Sequence, residues 1–396
     1  MSTDARGHPV AVVRCQEYPS VRPAIRQAME ATGLSSAVAG RRVFLKPNLM
    51  KGTPPERRLS THPLFVQALT AELVEAGCDV TVGDSSGILG FTDEVIDASG
   101  MRAAVEQAGG RMVNLDAGPF ERVDVKGLEL GTVWLPRVLL ETDVLLSVPK
   151  LKTHSMNVLT LAVKNLVGTL PGATKCDLHV RLPDPDAFAR GVIDVVCALR
   201  QAGVPAMGAV LDGIWALAGR GPGIGPIPRN PGLVIAGDLF SVDIACALAV
   251  GVDPFSVPTI RAAADRGLGP DPRSPGDALV RAVVDAVPQP EPFELPRRDW
   301  SERFDSITRA KYWIRGRIVR PVHDPGRCDG TGRCIAVCPV ACIVEGSQGL
   351  VVGPECIRCL ACHEVCPTGA MTLAVPRFAR GLFRSRAAGL DIGKVK

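Results

Sequence analysis

The stretch Cys356-Ile-Arg-Cys359-Leu-Ala-Cys362-His-Glu-Val-Cys366-Pro367 decides how one part of this chain folds. It is a complete Cys-x2-Cys-x2-Cys-x3-Cys-Pro run, the spacing that holds a [4Fe-4S] cluster. Four thiolates so close together suit soft iron sites far better than Mg2+ or Ca2+. Structural zinc is the main rival, but zinc ribbons use two separated Cys-x2-Cys pairs. The run therefore predicts an iron-sulfur domain.

The same pattern occurs 28 residues earlier, as Cys328, Cys334, Cys338 and Pro339. Residues 321–376 resemble a bacterial two-cluster ferredoxin, which implies a small α+β domain. In that family the fourth cysteine of each run serves the other cluster. The resemblance therefore implies two ligand sets. Cluster B would be held by Cys338, Cys356, Cys359 and Cys362, and cluster A by Cys328, Cys334 and Cys366.

Cluster A lacks one cysteine, because Thr331 occupies the position that corresponds to Cys359. A neutral hydroxyl is a poor substitute for a thiolate, so the iron at this position should be lost or bound by another ligand. Three outcomes remain open: a [3Fe-4S] cluster, an open-site [4Fe-4S] cluster, or an empty site. The three retained cysteines favour an occupied site, and we expect [3Fe-4S]. Asp329 and His323 are candidate replacement ligands, and the alternative interpretation of each is a surface residue.

Composition indicates a globular chain of two or three domains, with 396 residues of which 46% are hydrophobic. No apolar run approaches the ~18–20 residues of a membrane span, and the first residues form no signal sequence. Eight of the 13 cysteines lie within residues 328–366, which is typical of metal ligands in a reducing compartment. We therefore predict a cytoplasmic protein without a transmembrane segment.

Positive charge is concentrated in two segments. Residues 297–320 and residues 377–396 each carry a net charge of +5, although the whole chain has only +4. A solvated linker and tail are one interpretation, and a docking surface for an acidic redox partner or an anionic membrane face is the other. No nucleic-acid-binding signature is present, so no nucleic-acid partner is predicted.

Before these segments the chain alternates short apolar runs with amphipathic ones, as in a parallel sheet covered by helices. The predicted fold class is α/β with a mostly parallel sheet, followed by the small α+β iron-sulfur domain. The predicted domains are 1–290, a linker 291–320, the ferredoxin domain 321–376 and a tail 377–396. The predicted strands are Val10–Arg14, Arg42–Leu45, Asp79–Gly83, Asp143–Val148, Gly208–Leu211 and Leu233–Ala236. The predicted helices are Val21–Thr32, Pro63–Ala76, Asp93–Ala108, Ser155–Leu166, Asp186–Ala202 and Ser241–Val250.

Polar residues follow five of these strands, and in open α/β sheets the crevice outside the strand carboxyl ends binds ligands. Lysines dominate there, which suits an anionic small-molecule substrate, and a helix beginning near Ser155 would aim its amides at an anion. The candidate catalytic residues are His154, Asp84 and Lys152. The candidate substrate-binding residues are Lys46, Asn48, Ser85, Lys150, Lys164, Asn165 and Asp212.

Other candidates have weaker signals. Asp84, Asp212, Asp238 and Asp243 are acid/base groups, metal ligands or partners of the lysines, and Asp243 can instead complement a helix N-terminus. His179 and Cys176 are weak loop candidates. The glycine-rich segment 219–226 contains two prolines and has no predicted helix after it, so it is not a dinucleotide-binding fingerprint. No NAD or ATP motif is present.

Several segments together resemble the family "domain of unknown function 362" over residues 10–260. They are Lys46-Pro-Asn48, Thr61-His-Pro63, Gly83-Asp-Ser85, Pro149-Lys-Leu-Lys-Thr-His154, Lys164-Asn165 and Asp212-Gly213. Members of that family often carry a ferredoxin module at one end. The resemblance implies the architecture more than a reaction.

These residues favour an iron-sulfur oxidoreductase that relays electrons from the ferredoxin domain to an anionic substrate at the strand ends. A redox partner protein or a low-potential electron donor would supply the electrons. Two alternatives remain: a redox-neutral (de)hydratase with an open iron near Thr331, and a non-catalytic electron-transfer subunit.

Overall fold

The computed structural model of the chain describes residues 9–87, 90–204, 206–219, 226–296 and 320–374. Three features singled out from the sequence lie outside the described residues. They are most of the basic linker (297–319), the basic tail (377–396) and residues 220–225 of the glycine-rich segment.

The larger part of the chain is built on one mainly parallel sheet. The strands before residue 240 are β1 (Val10–Arg14), β2 (Arg42–Pro47), β3 (Asp79–Asp84), β4 (Arg111–Asn114), β5 (Phe120–Asp124), β6 (Thr132–Pro136), β7 (Val144–Val148), β8 (Lys150–His154), β9 (Val158–Thr160), β10 (Ala206–Gly219), β11 (Pro226–Arg229) and β12 (Leu233–Asp238). The sheet order is β1-β12-β10-β7-β2-β3-β4, and β5 and β6 form a separate hairpin. From β10 to β4 neighbouring strands are parallel, whereas β1 and β12 are antiparallel additions.

Helices cover both faces of this sheet. They are α1 (Val21–Ala31), α2 (Leu34–Val38), α3 (Pro63–Glu75), α4 (Thr92–Ala98), α5 (Met101–Gln107), α6 (Arg137–Leu140), α7 (Ala162–Asn165), α8 (Thr174–Arg181), α9 (Pro185–Gln201), α10 (Leu239–Ala249), α11 (Pro258–Asp265) and α12 (Asp277–Ala286). The first five helices pack on one face and α6 to α12 on the other. In β2, Val43 and Leu45 enter one core while Phe44 enters the other, because successive strand residues point to opposite faces. The predicted α/β fold class is confirmed.

The predicted strands are all present, and β10 and β12 extend beyond their predicted ends. The predicted helix 93–108 is divided into α4 and α5 at Gly100, which has a φ of 75°. Left-handed backbone interrupts a helix and favours glycine.

The prediction of a helix over Ser155–Leu166 was wrong. Residues 150–154 continue as strand β8 along the extended β10, and the chain then turns back into β9. Helical structure begins only at α7, whose first amides, on Ala162 and Val163, donate to the Asp243 carboxylate at 2.6 and 3.2 Å. The predicted anion site at the start of a helix near Ser155 is therefore absent from this described segment.

The ferredoxin part has its own small architecture. Its elements are β13 (Arg320–His323), α13 (Arg333–Ala336), β14 (Ile343–Gly346), β15 (Gly349–Val352), α14 (Ala361–Glu364) and β16 (Met371–Ala374). β13 pairs with β16 and β14 with β15, both antiparallel. Cys334 lies in α13 and Cys362 in α14, so the two sequence copies also match in structure. This agrees with the predicted small α+β domain.

Candidate functional site

The carboxyl ends of β2 and β3 meet at a buried ion pair. The Lys46 ammonium lies 2.5 Å from Asp84 Oδ1, and both side chains are almost fully buried. The amide of Leu49 donates to Asp84 Oδ2 at 2.6 Å. Burial lowers the pKa of Lys46 and raises that of Asp84, while the charge of each partner opposes the shift. Lys46 is thus neutralised within the protein, and Asp84 acts as its partner.

A second buried ion pair joins β8 to β10. The Lys150 ammonium lies 2.9 Å from Asp212 Oδ2, with both side chains fully buried. Lys150 also donates to the Tyr18 hydroxyl at 2.7 Å, and the amide of His62 donates to Asp212 at 3.0 Å. The rings of Tyr18 and His62 stack at 3.7 Å. Tyr18 and His62 have no strand-end signal in the sequence, and only the fold brings them here.

Lys152 differs from these two lysines because its acceptors are neutral. Its ammonium donates to Asn48 Oδ1 at 2.6 Å and to the Leu59 carbonyl at 2.8 Å. Asn48 in turn donates to Asn165 Oδ1 at 3.2 Å, and Asn165 donates to the Lys46 carbonyl at 2.7 Å. Burial, followed by the charge of Lys164, lowers the pKa of Lys152 to about 7. The predicted residues Lys46, Asn48, Lys152 and Asn165 therefore form one connected network.

Next to Lys152 lies a group of basic side chains. His154 Nδ1 accepts from the amides of Met156 and Asn157 at 3.1 and 3.3 Å, which assigns the proton of the neutral ring to Nε2. Burial, followed by Lys164 and His179, holds the pKa of His154 well below its usual value. Burial also lowers the pKa of Lys164 to about 8. His154 is consequently a neutral Nε2–H donor at physiological pH.

A third polar chain lies beyond Asp84. The Lys175 ammonium donates to the carbonyls of Ser85 and Ser86, at 2.7 and 2.6 Å, and to the Ser85 hydroxyl. That hydroxyl donates to Asp116 Oδ1, which also accepts from the amide of Gly172 at 2.7 Å. Neither Lys175 nor Asp116 was predicted as a site residue, because neither directly follows a predicted strand.

The ferredoxin part contacts the large sheet at this point. A Cβ on Gly172 would lie 2.1 Å from the carbonyl oxygen of Cys359, and the Ala173 amide donates to the Arg358 carbonyl at 3.1 Å. Nearby, both carboxylate oxygens of Glu364 accept hydrogen bonds, from the amide of Thr92 at 3.1 Å and from the Asn114 side chain at 2.9 Å. The Cys359 backbone therefore contacts Gly172, which hydrogen bonds connect through Asp116 to Ser85, the residue after Asp84.

The four cysteines assigned to cluster B line one cavity. Cys338, Cys356, Cys359 and Cys362 all line it, and Cys342 lies beside them with its sulfur 3.6 Å from that of Cys338. Four thiol ligands around one cavity fit a [4Fe-4S] cluster by donor chemistry.

The cysteines assigned to cluster A are also neighbours. Burial is the main cause that raises the pKa of the Cys334 thiol, and the adjacent Cys366 and Cys328 raise it further. Cys328 is exposed. Thr331 is exposed as well, and its hydroxyl donates to Asp329 at 3.0 Å. Three thiols at this site fit a cluster with fewer than four cysteine ligands.

Some candidates have structural roles in the described chain. The carboxylate of Asp238 accepts from the amides of Phe240 and Ser241, both at 3.1 Å, and so caps α10. Asp243 binds the first amides of α7 instead of those of its own helix, α10. His179 lies in helix α8 instead of a loop and packs on the Phe188 ring at 4.4 Å.

Known proteins resemble both parts of the chain. Residues 43–248 match the family described as "Domain of unknown function (DUF362)", and residues 320–367 match a 4Fe-4S dicluster domain. The chain is 31% identical over 274 residues to the thylakoid-associated protein sll1697 of Synechocystis sp., a match that covers 66% of this chain and 80% of that protein.

Two ferredoxins match the C-terminal region over part of their own length. The ferredoxin of Streptomyces griseus is 51% identical over 39 residues, which cover 10% of this chain and 37% of that protein. The "Ferredoxin 7Fe" of Hydrogenibacillus schlegelii is 47% identical over 47 residues, which cover 11% and 60%.

Among solved structures, the lactate racemase apoprotein from Thermoanaerobacterium thermosaccharolyticum has a TM-score of 0.35 and 14% identity, covering 51% of this chain and 50% of that one. A likeness this low bears on neither mechanism nor substrate. Within the described residues, no helix combines the length and apolar character needed to cross a membrane. From the match over residues 43–248, the chain belongs to the DUF362 family, and the region that follows it is a 4Fe-4S dicluster domain.

Proposed function

We propose that this protein is an iron-sulfur oxidoreductase in which the ferredoxin domain delivers electrons to an anionic small molecule bound at the strand ends. The contact between Cys359 and Gly172 carries the proposal. Gly172 is joined through Asp116 to Ser85, the residue next to Asp84. A cysteine expected to bind a cluster therefore lies beside the polar network of the large domain.

The ligand sets follow the ferredoxin pattern. Cys338, Cys356, Cys359 and Cys362 would hold a [4Fe-4S] cluster, and Cys328, Cys334 and Cys366 a second one, for which we retain [3Fe-4S] as the expected type. Such clusters supply electrons one at a time. The match to a protein named "Ferredoxin 7Fe" supports the second assignment. The exposed position of Cys328 suits a redox partner or a low-potential donor that approaches the second site from solvent.

The basic residues of the large domain would bind and orient the substrate. Lys46 and Lys150 are neutralised by their carboxylates, so we assign anion binding mainly to Lys152 and Lys164. His154 would donate a hydrogen bond from Nε2–H to the substrate, because its neutral ring is too weak an acid to release that proton. Asp84, a predicted catalytic residue, would hold Lys46 in place instead of transferring protons. Asn48 and Asn165 would orient the Lys152 ammonium.

The test uses anaerobic holoprotein that has been reduced beforehand. It is mixed with a panel of carboxylates and phosphate esters, while visible absorbance and EPR follow oxidation of the iron-sulfur centres. We expect one class of anion to oxidise the wild-type protein, and Lys152→Met to lose this reaction without a change in EPR spectra. Lys126→Met, at an exposed lysine, is the matched control. Equal oxidation rates in all three proteins would refute the assignment.

A redox-neutral (de)hydratase is the second candidate, because Thr331 and Cys328 are both exposed and a substrate could reach an open iron there. Thr331→Cys separates the two functions. It should abolish a (de)hydratase and leave electron delivery largely intact.

The cellular location of the protein stays a prediction. The Synechocystis relative is named as thylakoid-associated, whereas the sequence of this chain predicts a cytoplasmic protein. Fractionation of cells that express the tagged chain would decide between a membrane-associated and a cytoplasmic pool.

A further inference from the structure

The hairpin of β8 and β9 places a buried hydroxyl beside a buried ammonium. Thr160 pairs directly with Lys152 across the two antiparallel strands, so the two side chains project from the same face. Thr160 is only 4% exposed, and its hydroxyl has no hydrogen-bond partner among the described residues. Buried hydroxyl groups are normally hydrogen-bonded. No described side chain uses the Thr160 hydroxyl, and its place opposite Lys152 makes it a candidate contact for a ligand.

The charge at this place points to an anion. The ion pairs of the described residues provide a carboxylate for Lys46 and for Lys150, but none for Lys152 or Lys164. The Lys164 ammonium lies 5.6 Å from the centre of the Phe188 ring and is close enough to Lys152 to lower the pKa of that lysine. Two neighbouring ammonium groups without a counter-charge are costly unless an anion compensates them.

The donors at this place suit an anion with several oxygens. His154 is two residues from Lys152 on the same face of β8 and keeps its Nε2–H. The Lys152 ammonium donates to two oxygen atoms and, at 3.7 Å, to the Met50 sulfur, which is a weak acceptor that an anion oxygen can replace. Lys164 is partly exposed, so a ligand can approach from solvent. Two positive charges and donors from four residues match a dianion with three terminal oxygens better than a single carboxylate.

We propose that Lys152, Thr160, Lys164 and His154 bind a phosphate-type dianion, either free phosphate or the phosphate of a monoester. This rests on the proposed function, because the dianion would be the anchoring group of the substrate. Thr160 is the residue that the proposal adds to the site.

Equilibrium binding to the oxidised holoprotein tests the proposal without turnover. Inorganic phosphate, methyl phosphate and acetate are titrated separately by calorimetry at constant ionic strength. We expect saturable binding of at least one phosphate probe and much weaker binding of acetate. Binding of both methyl phosphate and inorganic phosphate indicates a site that accepts a phosphate monoester. Binding of inorganic phosphate alone indicates a site for the free ion. Acetate binding as tightly as either phosphate would overturn the dianion assignment.

Variants locate the site. Thr160→Val keeps the shape but removes the hydroxyl, and should weaken phosphate binding roughly tenfold, as should Lys164→Met. Thr160→Ser should restore the affinity. The matched controls are Thr70→Val, which removes another buried hydroxyl that has no hydrogen-bond partner among the described residues, and Lys126→Met, and both should bind as the wild type does.

Unchanged affinity in both Thr160→Val and Lys164→Met would overturn the proposal. Phosphate binding at this site without any electron delivery would leave the subsite standing and remove the oxidoreductase function. Electron delivery to an anion that binds independently of Thr160 and Lys164 would support the oxidoreductase function and remove the phosphate subsite.

Discussion

Replacing Gly172 with alanine should loosen the contact between the ferredoxin domain and the large domain. Its added Cβ would lie 2.1 Å from the Cys359 carbonyl oxygen, whereas real Cβ atoms essentially never approach closer than 3.0 Å. The two backbones would have to separate by about 0.9 Å. Overpacking of this kind typically costs ~1–3 kcal/mol. The φ of 48° adds about 1–2 kcal/mol, because alanine tolerates left-handed backbone poorly.

Gly267→Ala is the matched control, because Gly267 also has a positive φ, 62°, but an added Cβ there would meet no atom within 4 Å. Hydrogen exchange of the Ala173 amide, which donates to the Arg358 carbonyl, reports opening of the interface directly. We expect this amide to exchange roughly 5- to 150-fold faster in Gly172→Ala than in Gly267→Ala, which corresponds to the overpacking cost alone. Equal exchange in the two variants would refute the contact.

Three other changes have defined outcomes. Asp212→Asn leaves the buried Lys150 without its counter-charge and should lower the free energy of unfolding by about 3–5 kcal/mol. The control Asp186→Asn, in an exposed ion pair, should lower it by less than ~1 kcal/mol. Denaturant titration measures both changes. Sulfate stays a dianion from pH 6 to 9, so its binding reports the charge of the protein. It should bind more weakly as the pH rises through about 7 to 8, because Lys152 and Lys164 then lose their protons. An affinity for sulfate that stays constant or increases over this range would contradict the assignment. Thr331→Cys should add one iron atom per chain and remove the EPR signal of a [3Fe-4S] centre, and an unchanged iron content would argue against that cluster type.

Local patterns in the sequence were sufficient to predict six strands and most of the large helices, whereas β4, β5, β6, β8, β9 and β11 were not predicted. Successive apolar residues of β2 and β7 enter the two cores on opposite faces of the sheet. Such continuous apolar runs predict buried strands from the sequence alone. The helix prediction for residues 155–166 was wrong because the hydrophobic spacing of this segment also suits a helix. Pairing of β8 with β10 and β9 overrides the local preference there.

Residue types and short spacings were enough to predict a parallel α/β sheet with polar strand ends and an iron-sulfur module. The three-dimensional fold was needed to show which lysines are neutralised by carboxylates, that Thr160 lies opposite Lys152, and that Gly172 contacts Cys359. These contacts join residues far apart in the chain or on adjacent strands, and their partners are selected by packing and by the need to compensate buried charge. No local pattern contains that information.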